Sequence, residues 1–434
     1  MNPDIAALYK QLKIEKASKG EVASKFKFTD KASSDYPPLL TAMQDISARI
    51  KTIEARIKEL ENLNNEIITS ETIATKKNPF TSINPQANWH ESFTVKKLGS
   101  EEFKHWDAFI QQQPTATTYH PSAWLNVIKK SFGHDSHILV AIDKNGALLG
   151  GLPLTFFSSK IFGKFAVSIP FVNYGGVVSN YFNIAQALIQ AAQTLCDGQQ
   201  VSHIEIRTMQ QGLAENPVDK KVSMILQLPE SDAALEKQLG AKVRAQYKKA
   251  EEHLPTFKVG KLDLLNDFYK VFSRNMRDLG TPVYSKKWFR DILSTPDIKA
   301  TILVVYMNNE PVSTGFLVGN NLTLEIPWAS TIKSANEKNA NMWMYRRILA
   351  YAIAEGYTFF DFGRSTMGAG TFKFKKQWGA EPYQHYWYYL LQGGAERPEL
   401  NPDNPKFKLF IFMWKLMPIW LTTIIGPHVI KHIP

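Results

Sequence analysis

The stretch FDFGRSTMGAGTFKFKKQWG, Phe360 to Gly379, brings together one carboxylate, one guanidinium, several glycines and a basic-aromatic run. In an extended strand Phe360, Phe362 and Arg364 share one face, while Phe359, Asp361 and Gly363 share the other. Asp361 is therefore a carboxylate set among core aromatics near a strand end. It could accept a proton, orient an incoming amine, or anchor Arg364 or a loop N–H. Arg364 supplies a planar donor fork suited to phosphate or carboxylate oxygens. Gly368 and Gly370 remove Cβ crowding, so backbone N–H groups can approach such an anion. The competing reading is a surface turn followed by a solvated strand edge that carries Lys373, Lys375 and Lys376.

Two further segments could contact a substrate. LGAKVRAQYKKAEEH places Lys242, Arg244, Lys248 and Lys249 on a predicted helix, and Arg244 and Lys248 share a face. Such a pair suits a pyrophosphate or a nucleic-acid backbone; a solvated basic face is the alternative. PFVNYGGVV offers Tyr174 before two glycines, with a hairpin turn as its simpler reading. The pair in His134-Asp135-x-His137 lacks a third ligand at suitable spacing, so no metal site is expected.

The elements that must position these residues occur twice. A helix signal (HPSAWLNVIKKSFG), two strands around a KNG turn, a second helix (NIAQALIQAAQTLC) and a strand (HIEIR) come first. The same order returns as YSKKWFRDIL, ATILVVYM, an NNE turn, PVSTGFLVG, NMWMYRRILAYAIAEG and TFFDFGR. The spacing from Trp124 to Arg207 is close to that from Trp288 to Arg364. Two similar α/β units with mixed sheets, residues 92–235 and 236–395, are the economical architecture.

The flanks differ from this core. Residues 1–38 read as a linker region, because 15–37 are rich in Lys, Ser and Asp without a sustained apolar period. From 39 to 68, Leu39, Met43, Ile46, Ile50, Ile53, Ile57, Leu60, Asn64 and Ile67 follow alternating steps of four and three, a coiled-coil seam. Arg49 and Arg56 fall at g, Glu54 and Glu61 at e, so a homo-oligomer through residues 39–68 is expected; a helix packed on its own chain is the alternative. Residues 69–91 are a second linker. In the C-terminal segment, 396–434, residues 409–426 are almost wholly apolar but carry Lys415 and Pro418. With lysines at 406, 408 and 431 beside them, they suit a helix lying on a membrane surface, with packing on the protein as the alternative and a membrane-crossing helix the least suited.

Composition bounds the class. At 44% hydrophobic and 12% aromatic the 434 residues describe a globular chain, not a disordered one. A formal charge of +11 favours phosphate-rich partners or an anionic membrane, although solubility alone could account for it. The single cysteine, Cys196, excludes an internal disulfide and a cysteine-cluster zinc site. It fits a reducing compartment, and the N-terminus lacks the apolar core of a secretion signal. The expected location is the cytoplasm, peripheral on the cytoplasmic face of the inner membrane.

The segments NMRDLGTPVY, DFGRSTMGAG and FKFKKQWG resemble the FemAB-related branch of the GNAT acyltransferase superfamily, over roughly residues 92–430. More narrowly they are similar to the FemAB-like proteins encoded beside bacterial exosortase and exopolysaccharide systems. The resemblance implies tandem GNAT-like domains and acyl transfer to nitrogen. FemAB relatives use aminoacyl-tRNA and a peptidoglycan precursor, whereas other GNAT proteins use acetyl-CoA or acyl-CoA. No bound cofactor is therefore implied, and aminoacyl-tRNA and acyl-CoA both stay open as donor. The implied acceptor is a lipid-linked or nucleotide-linked sugar of the cell envelope. FemX-type members have a Phe-Lys pair at the acyl-transfer centre, which Phe374 and Lys375 match by motif, with the Phe374 backbone facing the oxyanion. Asp361 would assist catalysis, while Arg364, Ser365, Gly368 and Gly370 would bind substrate together with Arg244, Lys248 and Tyr174. A non-catalytic assembly factor with a transferase-like core is the rival reading.

Overall fold

The computed structural model describes residues 3–27, 29, 33–75, 82–159, 163–198, 200–320, 322–393, 397 and 405–434. The chain divides into two compact units, Met1–Lys77 and Asn78–Pro434.

The first unit is a helical hairpin of α1 (Pro3–Lys27) and α2 (Tyr36–Thr75). The expected linker over residues 1–38 is thus a helix over most of its length. Its seam, Leu8, Leu12, Glu15, Lys19, Val22 and Phe26, keeps three-four spacing, but Glu15 and Lys19 interrupt the apolar run and hide it. Ile46, Ile50, Ile53 and Ile57 are buried with Leu12, and Leu8 and Val22 pack against them. The charged flanks pair within the hairpin as well, Arg49 with Glu15 at 3.2 Å and Lys16 with Glu54 at 2.8 Å. Over 46–57 the seam therefore meets α1 of the same chain. The side chains at Asn64 and Ile67 lie outside the described residues.

The second unit holds two mixed sheets. Its strands in chain order are β1 (Phe93–Lys97), β2 (Asp135–Asp143), β3 (Leu148–Ser159), β4 (Gly163–Val167), β5 (Val178–Ser179), β6 (His203–Thr208) and β7 (Lys221–Gln227). They continue as β8 (Thr256–Gly260), β9 (Lys299–Met307), β10 (Glu310–Gly319), β11 (Thr323–Thr331), β12 (Phe359–Thr366), β13 (Glu381–Gln384) and β14 (Tyr386–Leu391). One sheet runs β1-β2-β3-β4-β6-β14 with β5 on β3, and the other runs β13-β7-β12-β11-β10-β9-β8. The order β2-β3-β4-β6 of the first repeats as β9-β10-β11-β12 of the second. Each repeat ends in a parallel pair, Val167 beside Glu205 and Glu325 beside Asp361. The tandem architecture read from the sequence is this repeat.

The two halves exchange strands, so a boundary at 235/236 does not separate the sheets. β7 precedes that boundary yet lies between β13 and β12, and β14 follows it yet pairs with β6. Alternation marks a strand but not its partner, and β7 is buried from Val222 to Leu226. One hydrophobic cluster also spans both halves, joining Trp124, Val172 and Tyr174 to Trp288, Phe316 and Trp328.

The C-terminal stretch forms two helices, Pro405–Leu416 and Ile419–Ile430, parted at Pro418, whose ring cannot continue the first. Among the described residues no helix is long and apolar enough to cross a membrane. One side is docked. Trp414 is buried, Arg277 donates to the Met417 carbonyl at 3.0 Å, and a Cβ on Gly426 would stand 2.7 Å from the Val283 nitrogen.

Candidate functional site

The parallel ladder between β11 and β12 lasts three pairs and stops at Glu325 beside Asp361. Past that point β11 stays with β10 and β12 stays with β7, so the two strands part. The opening is a cavity of about 370 Å³ walled by Ile326–Pro327 and Phe362–Gly363 and by Lys221, Arg364, Lys375, Asn173 and Trp387. Three cations line it and no carboxylate does.

A bulge shapes its floor. Asp361 faces Ile225 of β7 and Arg364 faces Ser223, so β12 carries one extra residue between them. Gly363 fills the bulge at φ +77, in the left-handed region. Its N–H turns back onto Asp361 Oδ1 at 2.7 Å. The carbonyls of Gly363 and Arg364 both accept from Lys375 Nζ at 2.9 Å. Lys375 stands on the short helix Gly370–Lys376, where Phe372 and Lys375 are buried and Trp378 follows on the same face. The FKFKK run is thus helical and not a strand edge. Burial pulls the Lys375 ammonium down to about 8, against the charges of Asp361 and Glu325.

Behind the cavity sit two carboxyls with no exposed surface. Asp361 accepts from Gly363 N–H, from the Tyr174 hydroxyl at 3.1 Å and from Ser223 Oγ at 3.2 Å. Ser223 Oγ also meets His385 Nε2 at 2.9 Å, and burial pulls His385 down to about 3. Glu325 accepts from Asn173 Nδ2, and the Tyr119 phenol faces it without closing a well-formed hydrogen bond. Burial raises both carboxyls; Glu325 is pushed further because the Asp361 charge adds to burial and fewer donors oppose it. The pair as a unit therefore holds a proton near neutrality.

Asn173 links this pair to the cavity, since its Oδ1 accepts from Arg364 Nε at 2.8 Å. The Arg364 guanidinium lies 5.1 Å from the Trp387 ring centre and that of Arg207 lies 4.7 Å from it. Burial, then the Arg207 charge, lowers Arg364 to about 10, which leaves it charged.

Asp361, Arg364, Lys375 and Tyr174 are thus brought together. Phe374 is not placed as expected. It lies in the last turn of its helix, where the backbone N–H bonds within the helix, and its ring packs 5.2 Å from Tyr345. Ser365 is buried with no hydrogen-bond partner for its hydroxyl among the described residues. Gly368 and Gly370 are exposed, with open space where a Cβ would stand; the glycine at the cavity is Gly363. Arg244 donates to the carbonyls of Glu236 and Leu239, and Lys248 is exposed, 4.0 Å from Glu236, so neither lines the cavity. Glu325, Asn173, Lys221, Ser223, His385 and Trp387 escaped the sequence reading. Glu325 had a signal, a lone acid inside the apolar run LTLEIPW; the neutral ones had none.

Residues 238–385 match the family model described as an acetyltransferase (GNAT) domain. The crystal structure of FemX superposes with a TM-score of 0.54 at 15% identity, covering 68% of this chain and 97% of that one. The C-terminal domain (DUF2156) of a putative lysylphosphatidylglycerol synthetase from Agrobacterium fabrum gives 0.47 at 12% identity, covering 68% and 93%. L-PGS from Bacillus licheniformis gives 0.47 at 14%, covering 74% and 98%. No curated protein matches the chain in sequence. Residues 238–385 are a GNAT domain and the two-sheet unit has the fold of FemX.

Proposed function

We propose that the chain transfers an acyl or aminoacyl group to an amine of a cell-envelope precursor, a peptidoglycan or exopolysaccharide intermediate carried on a lipid. One observation carries this reading. Lys375 is held by two carbonyls at 2.9 Å in the cavity where β11 and β12 part, and an ammonium has three protons. Two are committed to Gly363 and Arg364, which leaves one for a ligand oxygen.

The amine nitrogen attacks the donor carbonyl, and the C=O pair moves onto oxygen as a tetrahedral oxyanion. Lys375 donates its third N–H to that oxygen, and Arg364 adds a second positive charge. The oxyanion then collapses, the ester or thioester bond breaks, and the nitrogen loses a proton as the leaving group gains one. No enzyme nucleophile is required. Two donors fit this chemistry, aminoacyl-tRNA and acyl-CoA. The exposed apolar residues of the C-terminal helices support contact with the cytoplasmic face of the inner membrane, where a lipid-linked acceptor resides.

The test offers the full chain labelled aminoacyl-tRNA or labelled acyl-CoA together with extracted lipid-linked sugars. Label should pass to the lipid fraction from one donor class. Transfer from neither would favour the non-catalytic assembly factor.

A further inference from the structure

A second cavity, of about 660 Å³, lies outside the site described above. It sits where the end of the Ile419–Ile430 helix meets β3, β4 and the start of β2. Phe156 and Phe157 give it an aromatic wall, and Lys164, Lys431, His134 and His432 give it a basic one. Lys164 and Lys431 both belong to the wall, and neither forms an ion pair among the described residues. The one acidic residue in the wall, Asp135, is engaged by Lys129 at 2.5 Å. His134 Nε2 donates to the Lys431 carbonyl at 2.7 Å, which pins the helix end against the sheet. His432 Nδ1 is buried and has no hydrogen-bond partner among the described residues. A wall with two unpaired lysines and two histidines suits oxygen anions.

The helix that ends in this wall also carries an apolar surface. With its neighbour it exposes Leu409, Phe412, Met413, Leu416, Trp420 and Ile424, the most open being Leu416 at 70%. From Pro405 to Pro434 the sequence has no Asp or Glu and four lysines. Large apolar side chains interspersed with lysine and free of acids complement an anionic bilayer surface. A soluble protein partner would have to cover six large apolar groups and also neutralise those lysines, and a lipid surface does both at once. We propose that the cavity takes the phosphate headgroup of an anionic lipid from the surface on which the two helices dock. The inference rests on reading those helices as membrane-docking elements, and it adds to that reading a site that selects the headgroup.

The test uses the full chain and two forms of one lipid. Phosphatidate in phosphatidylcholine vesicles reports docking and cavity together, and dihexanoyl phosphatidate below its micelle concentration reports the cavity alone. The wild type should sediment with phosphatidate vesicles and bind the soluble lipid. The Lys164→Gln/Lys431→Gln chain should lose at least about tenfold in affinity for the soluble lipid, with an unchanged thermal midpoint. The Phe412→Glu/Trp420→Glu chain should lose the vesicles and keep the soluble lipid. Equal binding of the soluble lipid by wild type and the lysine variant, or none by either, overturns the cavity assignment whatever the vesicles do. Inorganic phosphate binding as tightly as dihexanoyl phosphatidate overturns the lipid in favour of a free phosphate. Soluble lipid bound without any vesicle binding sinks the docking reading and leaves the cavity a phosphate-ester site.

Discussion

Glu325 and Asp361 form a buried carboxyl pair in which burial raises both groups, and Glu325 the more. They are cross-strand neighbours without solvent, and the difference lies in their donors, several aimed at Asp361 and one at Glu325. Since the folded chain raises the Glu325 pKa, it binds that proton more tightly than the unfolded chain does. The resulting stabilisation is complete below the ordinary carboxyl pKa and is lost as pH rises through the raised folded value. Glu325→Gln keeps the acceptor for Asn173 and has no proton to lose. The thermal midpoint of the variant minus that of the wild type should therefore grow from about pH 5 to about pH 9. A difference that stays constant over that range would mean that Glu325 is ionised in the fold. Asp361, Arg364, Lys375 and Tyr174 were legible in the sequence because charge or glycine marks their segments. Asn173 and Ser223 were not, since a neutral polar residue in a distant segment acquires meaning only when the fold carries it to a carboxylate.

At the scale of elements, the bulge in β12 and the hairpin of α1 and α2 carry the main lessons. Gly363→Ala forces a Cβ into the left-handed region, at a cost of about 1–2 kcal/mol, and sets it 3.2 Å from Asn173 Nδ2. Urea unfolding should show a loss of that size. An unchanged midpoint would argue against the bulge as an essential support of the site. Deleting residues 1–33 would uncover Ile46, Ile50, Ile53 and Ile57. Light scattering should then show a larger subunit number than for the full chain, and equal subunit numbers would contradict the packing of that seam on α1. The Gly370–Lys376 helix was hidden in the sequence because FKFKK alternates with a period of two. Only the step of three from Phe372 to Lys375 to Trp378 betrays the helix, and over so short a run the two periods are hard to tell apart. The repeated order of hairpin, helix and strand was legible; the exchange of β7 and β14 was not, because alternation carries no information about partners.

The whole second unit is needed for the site. Asn173 and Tyr174 come from the first half, Lys221 and Ser223 from the exchanged strand, and Glu325, Asp361, Arg364 and Lys375 from the second half. Residues 236–395 expressed alone would lack β7 and leave the edges of β12 and β13 unpaired, so no cooperative melt is expected from them; a sharp transition would contradict the interlocked fold. The account depends most on Lys375 as the group that meets the developing oxyanion. The most direct measurement is the single-turnover rate of label transfer by wild type and Lys375→Ala, with Lys248→Ala as a control away from the cavity. Losing one such donor costs roughly 3 kcal/mol, so Lys375→Ala should be about a hundredfold slower with its melt and donor binding nearly unchanged. Lys248→Ala should match the wild type. Full turnover in a folded Lys375→Ala chain would contradict the assignment of this cavity to acyl transfer.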